Sequence, residues 1–456
     1  MARVVVVGGG MAGLATALFS ARRGHEVTVV DRDPGPPPGG VEAASAWERR
    51  GVAQAQFAHG WPARSAWVLR REAPELLAEL HAAGIGTTDA RFGPGFEDDR
   101  VLTARRPVYE AVLREFVACE PGVALVHGSV VGLASSPSGG RVVGVKLADT
   151  TTIDADLVVD AGGRRSASGR WLRSLGFDEP TVEDHSCGLH YLSRHYRLRD
   201  GEELPVNDMV FEPLPYLNVF TFVGDNRTFA VALAVSSSDP LRANLQDPDV
   251  YERLLQAMPV MSTWVSRAEP ISDVYVMAGL SNRRQRLVED GRVAAPGLVQ
   301  VGDAALYTNP TLGQGVSLGF WMAHVLADLV ERAPKDPAEV AVEYDRWIDD
   351  ELGSRFRRQV QADQGMRRQL EAGVEGASFL APDDAAGQYL AALGRLAGRD
   401  PEIGNLLGLV ANLLLPRSAY EAPEVRAAVA AILEERAPTP PEIAITRSAF
   451  EALVGS

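Results

Sequence analysis

Two glycine-rich turns, far apart in the chain, carry most of the chemistry that the sequence announces. The first, Gly8-Gly9-Gly10-Met11-Ala12-Gly13, follows the run Arg3-Val4-Val5-Val6-Val7 and opens a helical stretch that ends at Gly24. A second β-branched run, Val27 to Val30, then closes on Asp31. Gly8 supplies backbone freedom for the turn, Gly10 lets a pyrophosphate approach the main chain, and Gly13 lets helix and strand pack closely. The free N–H groups and the positive dipole end at Met11 and Ala12 suit phosphate charge. Asp31, followed by Arg32, stands where a carboxylate accepts hydrogen bonds from ribose hydroxyls, and its charge disfavours a 2′-phosphate there. The second turn, Gly313-Gln314-Gly315-Val316, follows Gly302-Asp303 and Pro310 and feeds another helix. It has the same physics, with N–H groups and a dipole aimed at a ligand.

Other side chains are less specific. Leu157-Val158-Val159-Asp160-Ala161-Gly162-Gly163 reads as a buried parallel strand ending at an acid and a glycine pair, the end of an α/β sheet at which ligands bind. Arg106, just before a helix from Val108 to Cys119, can reach a phosphate or ring. His59, Tyr191, Arg194 and Tyr216 are candidates for a substrate side, each set against the alternative of a purely structural polar residue. The two cysteines, Cys119 and Cys187, have no metal-ligand spacing, so neither a zinc site nor a disulfide framework is expected.

The elements that must position these groups predict an α/β protein. Its Rossmann-like nucleotide-binding domain is discontinuous, residues 1–180 and 287–335. A mostly antiparallel β-sheet domain on the substrate side, 181–286, is inserted in it, and a helical region, 336–456, ends the chain. Residues 62–84 read as one helix. Asp33 to Gly40 is a proline-rich loop leaving the nucleotide site, and Trp47 to Trp61 suits either a loop folding over a ligand or a surface loop with buried tryptophan anchors. Short strands are expected at 124–127, 141–147 and 152–154, with a hairpin-type break near Ser135 to Gly140. Alternation marks Leu189–Leu198, Val219–Val223, Thr228–Val235 and Val274–Met277 as half-buried strands. The C-terminal helical pattern breaks at Ala381-Pro382, Arg399-Asp400-Pro401, Pro416 and Pro438-Thr439-Pro440-Pro441.

Composition excludes several classes. With 46% hydrophobic and 23% charged residues the chain has the make-up of a globular protein with a large core. A net charge of −15 disfavours a nucleic-acid partner, which needs a basic face. The first strand begins at Arg3, leaving no room for a cleavable signal peptide, and a cytoplasmic location is expected. The apolar stretches Gly315–Val330 and Leu406–Leu415 are shorter than the ~20 residues of a membrane span, and Leu406–Leu415 is assigned to core packing rather than to a membrane surface.

The N-terminal glycine fingerprint, the Asp160 stretch and the Gly302-Asp303…Pro310…Gly313-Gln314-Gly315 sequence together resemble the single-component flavoprotein monooxygenases with the para-hydroxybenzoate-hydroxylase-like fold. Gly51-Val52-Ala53-Gln54 and Asp160-Ala161-Gly162-Gly163-Arg164-Arg165-Ser166 with Trp171-Leu172 are most similar to the branch of squalene-epoxidase-like enzymes and polyether-antibiotic epoxidases. The resemblance implies tightly bound FAD, with NADPH or NADH as a transient reductant. By the same resemblance Asp31 would hold the adenosine ribose, Val131 would pack near adenine, and Arg106 would approach the pyrophosphate or flavin. Asp303 would bind the ribityl or pyrophosphate region, and Pro310 to Val316 would face the flavin ring. The implied reaction is epoxidation or hydroxylation of a hydrophobic small molecule by O₂ through a flavin hydroperoxide, in secondary metabolism. The family's Asp-Gly pair is Asp160-Ala161 here, which departs from its NADPH-handling motif, and Ala53 stands where the branch usually has proline. Three alternatives share the FAD fold: a halogenase, which would need a separate flavin reductase but whose Trp-x-Trp-x-Ile-Pro signature is absent; a C–C reductase or dehydrogenase; and a non-catalytic FAD-bound protein.

Overall fold

In a computed structural model of the chain, residues 1–52, 54–380, 385–435 and 443–455 are described. Ala53, the break at Ala381-Pro382 and the Pro438–Pro441 run therefore lie outside the described residues. A five-stranded parallel sheet forms the centre, in the order Leu298–Gln300, Leu157–Asp160, Arg3–Val7, Glu26–Asp31, Val123–His127. The first strand is therefore internal. Val4 and Val6 turn to one face and Val5 and Val7 to the other, and each face has its own apolar cluster. A strand buried on both faces needs an unbroken β-branched run, and Val4 to Val7 supplies it.

The helix Met11–Arg22 covers the first face and packs against Gly315–Arg332 and Arg106–Ala118. Its approach to Gly315–Arg332 is close. A Cβ at Gly319 would stand 3.1 Å from Ala12 Cβ, and one at Gly302 2.8 Å from the same atom. A three-stranded antiparallel sheet, Val130–Ser135, Val142–Leu147 and Thr152–Asp154, covers the other face.

A six-stranded antiparallel sheet has its long strand Leu189–Leu198 paired with Thr228–Ser236. All nine residues of Thr228–Ser236 are buried. Phe229, Val231, Leu233 and Val235 face two helices, Pro248–Ala257 and Pro259–Val265, and the C-terminal helix Arg447–Val454. The opposite face carries Ala232 and Ala234 and packs against Phe57, Leu280, Tyr307 and Leu370. A smaller sheet, Thr181–Ser186, Ser281–Arg286 and Leu306–Tyr307, connects this layer to the loop after the last parallel strand.

The 62–84 stretch is two helices, Arg64–Glu72 and Pro74–Ala82, rather than one. Pro74 lacks the N–H a continuous helix needs, and Ala73 before it takes a non-helical conformation. The helices at 248–265 have an amphipathic pattern that the reading of 181–286 as mostly sheet passed over. In the C-terminal region a long helix, Gly353–Val374, leans on strand Thr228–Ser236, and three shorter helices share a satellite core around Leu393, Val410 and Val429. Among the described residues no helix is long and apolar enough to cross a membrane.

Candidate functional site

A cavity of about 870 Å³ opens at the carboxyl ends of the parallel strands, and both glycine turns form part of its wall. Gly8, Gly10, Met11 and Ala12 of the first turn line it, and Gly302, Asp303, Pro310, Gly313, Gly315 and Val316 of the second region meet them there, Gly302 lying against Ala12. Neither helix has a side chain capping its N-terminus. The first-turn N–H groups of two helices are thus left for whatever enters the cavity. A Cβ at Gly10 would meet nothing within 4 Å, so the space in front of it is open. Gly13 does not line the cavity; a Cβ there would lie 2.0 Å from the Gly8 carbonyl oxygen, so its hydrogen is what closes the turn. Gly9 is fixed as firmly, since its Cβ would be 2.6 Å from Asp31 Oδ2.

Asp31 and Arg32 line the cavity beyond the second strand, and Val131, 54% exposed, stands on the same wall. Asp31 is also the end of a buried charge chain. Arg49 donates to Asp31 Oδ2 at 3.0 Å, to Asp33 Oδ2 at 3.0 Å and to Glu110 Oε1 at 2.5 Å. Glu110 in turn accepts from Arg106 Nε at 3.1 Å, and Arg106 Nη1 donates to His59 Nε2 at 3.1 Å. Arg49 is 7% exposed and stacks over Trp47, so its charge is spent on three carboxylates. The coupling of residues 31, 49, 106 and 110 was invisible in the sequence, where Arg49 stands in a loop without period.

His59 lies on the cavity wall, stacked on Trp61. Its Nδ1 is 2.8 Å from the Phe57 carbonyl oxygen, which can only accept, and its Nε2 faces Arg106, which can only donate. The ring is therefore the neutral Nδ1–H tautomer. Burial and the Arg106 charge hold its pKa down at about 3. Asp303 responds in the opposite sense: burial pushes its carboxyl up, against the pull of Arg106 and Arg164.

The remaining candidates separate. Asp160 is 1% exposed and is an anchor beneath the cavity rather than part of its lining. Its carboxylate accepts from the Gly162 N–H, Ser166 Oγ and Gln300 Nε2, which shapes the 161–166 turn. Ala161, in place of the family's glycine, lines the cavity and packs on Gly13. Tyr191 is buried behind the wall, its hydroxyl on Thr311 Oγ1 and Asn309 Nδ2. Arg194 and Tyr216 are corrections. Arg194 falls on the sheet face turned away from the cavity, paired with Glu252 at 2.9 Å, because residues at even offsets from Leu192 point to the helices. Tyr216 is in the core of that helix layer, donating to the Ile445 carbonyl at 2.8 Å.

The structure adds lining residues that the sequence reading gave no site role: Gln54 and Arg164, named there only within longer motifs, and Phe222, Met277 and Tyr307. Phe222 was within reach, since Phe220 and Phe222 share a face of an alternating strand. Arg164 was not, because its contact with the Tyr307 hydroxyl at 3.4 Å is long-range. Elsewhere Glu72, His324 and Asp328 come close enough to suggest a metal site, but Arg23 already donates to both carboxylates, with Glu72 Oε1 at 2.7 Å.

The model of the FAD dependent oxidoreductase family matches residues 3–95, and that of tryptophan halogenase matches 67–170. A menaquinone reductase of Mycolicibacterium smegmatis is 28% identical over 339 residues, 72% of this chain and 76% of its own. The myxobacterial chondrochloren halogenase CndH superposes with a TM-score of 0.61 at 16% identity, covering 92% of this chain and 98% of that one. A probable FAD-dependent monooxygenase of Pseudomonas aeruginosa, pqsL, does so with a TM-score of 0.60 at 16% identity, covering 81% and 98%. These two superpositions establish the common fold: a parallel Rossmann-like core, antiparallel sheets and C-terminal helices.

Proposed function

We propose that this chain, an FAD-dependent oxidoreductase, is a monooxygenase that oxidises a hydrophobic small molecule with NADPH or NADH and O₂. The observation that carries the reading is the composition of the cavity. Backbone donors at two helix N-termini share its lining with Ala58, Phe222, Met277 and Tyr307, and with His59 as a neutral imidazole.

The residues present fit FAD. Open space before Gly10, the close approach that Gly8, Gly9 and Gly13 permit, and uncapped N–H groups make a site for a pyrophosphate. Asp31 stands ready for ribose hydroxyls, held in place by Arg49. Asp303 and the Pro310–Val316 segment would hold the distal part. When bound, FAD supplies hydride acceptance from NAD(P)H and activation of O₂.

The protein's own part is orientation, charge and exclusion of water. The N-terminus of helix Gly315–Arg332 favours negative charge at its end of the cavity. Phe222, Met277 and Tyr307 present an apolar surface against which a hydrocarbon or aromatic substrate packs. His59 has no proton on Nε2 and stays neutral through physiological pH, so it orients rather than titrates. Tyr307, whose pKa burial raises to about 12, keeps its proton as well. A neutral His59 and a protonated Tyr307 beside the apolar side chains suit oxygen transfer to an alkene or ring, for which the bound cofactor would supply the reactive oxygen.

A second reading, reduction of the bound molecule in place of oxygenation, is favoured by the menaquinone reductase relative. Both are tested by supplying purified, FAD-loaded protein with NADPH or NADH and a panel of isoprenoid, polyketide and phenolic compounds, and weighing the products. Gain of one oxygen atom with O₂ consumption supports the monooxygenase. Gain of two hydrogen atoms, undiminished without O₂, replaces it with the reductase. Gain of a halogen atom, with a flavin reductase and halide added, replaces both.

A further inference from the structure

Behind the second glycine turn, four separate parts of the chain meet in a buried polar knot. Its hub is Asp363, on the long helix Gly353–Val374 and 1% exposed. Its Oδ2 accepts from Asn282 Nδ2 at 2.6 Å and from Cys187 Sγ at 3.5 Å. Its Oδ1 accepts from Asn309 Nδ2 at 2.9 Å, Gln359 Nε2 at 2.9 Å and Thr311 Oγ1 at 3.4 Å. Amide NH₂ groups can only donate, so three of these neighbours specify an acceptor at both oxygens. An ionised carboxylate answers that demand; an asparagine would turn its own NH₂ against one of them.

The knot is tied directly to the cavity wall. The Asn309 N–H donates to Asn282 Oδ1 at 2.8 Å, and the Tyr191 hydroxyl meets both Asn309 and Thr311. Thr308 and Pro310, flanking Asn309, line the cavity, and Gly313, with φ of +62°, ends the turn. Gly313 also presses on the loop that carries His59: a Cβ there would be 3.1 Å from Gly60 Cα. A shift of Asn309 or Thr311 is thus passed to both walls at once. We propose that Asp363 is a positioning residue, which fixes the Asn309–Gly313 turn, and with it the N-terminus of helix Gly315–Arg332, against the bound cofactor. The inference rests on reading the cavity as the FAD site. It goes beyond that reading by giving the C-terminal helical region a part in the cofactor site, from a helix outside both glycine motifs.

The test compares wild type with Asp363→Asn and Asp363→Glu in the full-length protein. In the FAD-free form, Asp363→Asn is expected to speed amide exchange at Thr311 to Gly313 by about tenfold or more, with the Met11–Arg22 helix unchanged. In the FAD-loaded form it is expected to change the visible circular dichroism of the flavin and weaken FAD binding about tenfold, with partial recovery in Asp363→Glu. A folded Asp363→Asn protein with wild-type exchange at the turn and a wild-type flavin spectrum overturns the proposal. If Asp363→Asn does not fold, Gln359→Leu decides, because it removes one donor and keeps the carboxylate. Smaller changes in the same directions support the proposal, and unchanged exchange and spectrum overturn it. If the wild type takes up no FAD, the cofactor reading fails, while the exchange arm still decides whether Asp363 holds the turn.

Discussion

Gly10→Ala separates folding from cofactor binding, because the methyl group points at nothing in the protein. Gly10 has φ −80° and ψ −179°, an extended conformation open to alanine, and an added Cβ has no atom within 4 Å. Alanine is a poorer helix N-cap than glycine but restricts the unfolded chain, so net stability should move by less than about 1 kcal/mol. The empty volume is nevertheless the one a pyrophosphate must occupy. A phosphate oxygen bonded to first-turn N–H groups sits about 2.9 Å from nitrogen, inside the space a methyl group takes. The phosphate must retreat by roughly 1 Å, which breaks one or two charge-assisted hydrogen bonds of about 1.5–3 kcal/mol each. The FAD dissociation constant should then rise by about tenfold to a hundredfold for each bond lost. Gly13→Ala is the contrasting control. Its Cβ would be driven to 2.0 Å from the Gly8 oxygen, so that variant should lose stability and FAD together. Titration of the FAD-free protein by flavin fluorescence, beside thermal denaturation, reads both quantities. Wild-type affinity in a normally folded Gly10→Ala protein would refute the placement of the phosphates at this turn.

Arg49→Met leaves Glu110 to Arg106 and Asp31 to Arg114 but takes the guanidinium partner from buried Asp33, and should cost about 3 kcal/mol in denaturant unfolding; a loss under 1 kcal/mol would show that the remaining donors suffice for all three acids. His59, half-buried on the cavity wall, and His195, buried, have pKa values held down at about 3 and 4, below the ~6.5 of an unfolded histidine. The unfolded chain therefore binds more protons in this window. Stability should fall as pH drops from about 6.5 towards 5, by up to about 1.4 kcal/mol per pH unit for each imidazole. His59→Gln and His195→Gln should each flatten that slope, with a residue left by His25 and His190, whose pKa values burial also lowers; an unchanged slope in both variants would mean these rings are charged in the folded state. Arg194→Met should lower the melting temperature through the loss of Glu252's partner yet leave NAD(P)H oxidation at the wild-type rate, and a selective loss of that rate would return Arg194 to the substrate side.

Backbone chemistry was the most legible part of this molecule. Gly8, Gly10 and Gly13 each have a local reason for lacking a side chain, and the strand, turn, helix and second strand around them form one contiguous segment. Asp31 and Asp303 could be placed because each follows a buried strand, and strand ends locate the sheet's binding edge. Asp160 has the same local signature but turns inward to Ser166 and Gln300, and no feature of the sequence near it announces that partner choice. Arg194 was misplaced for a related reason, whereas Tyr216 lies in the turn between strands Phe211–Leu214 and Leu217–Val223, where no alternation assigns a face. Polarity within an alternating strand marks two faces but does not say which one is the back, against which helices Pro248–Ala257 and Arg447–Val454 pack.

That face question had an answer in side-chain size. Along Phe229 to Val235 the alternation is between large residues and alanine, not between apolar and polar. Both faces are therefore buried, but not equally deep: Phe229, Val231, Leu233 and Val235 fill a helix-backed core, while Ala232 and Ala234 leave room on the other side. Only small side chains let the Phe57 loop and the helix Gly353–Val374 come close to the same strand. Those two segments bring His59 to the cavity wall and Asp363 to the back of the second glycine turn. The cavity thus depends on alanines that never touch it. A sequence motif records the atoms that contact a ligand, whereas the space for that ligand is set one layer back, by residues whose only distinguishing property is volume.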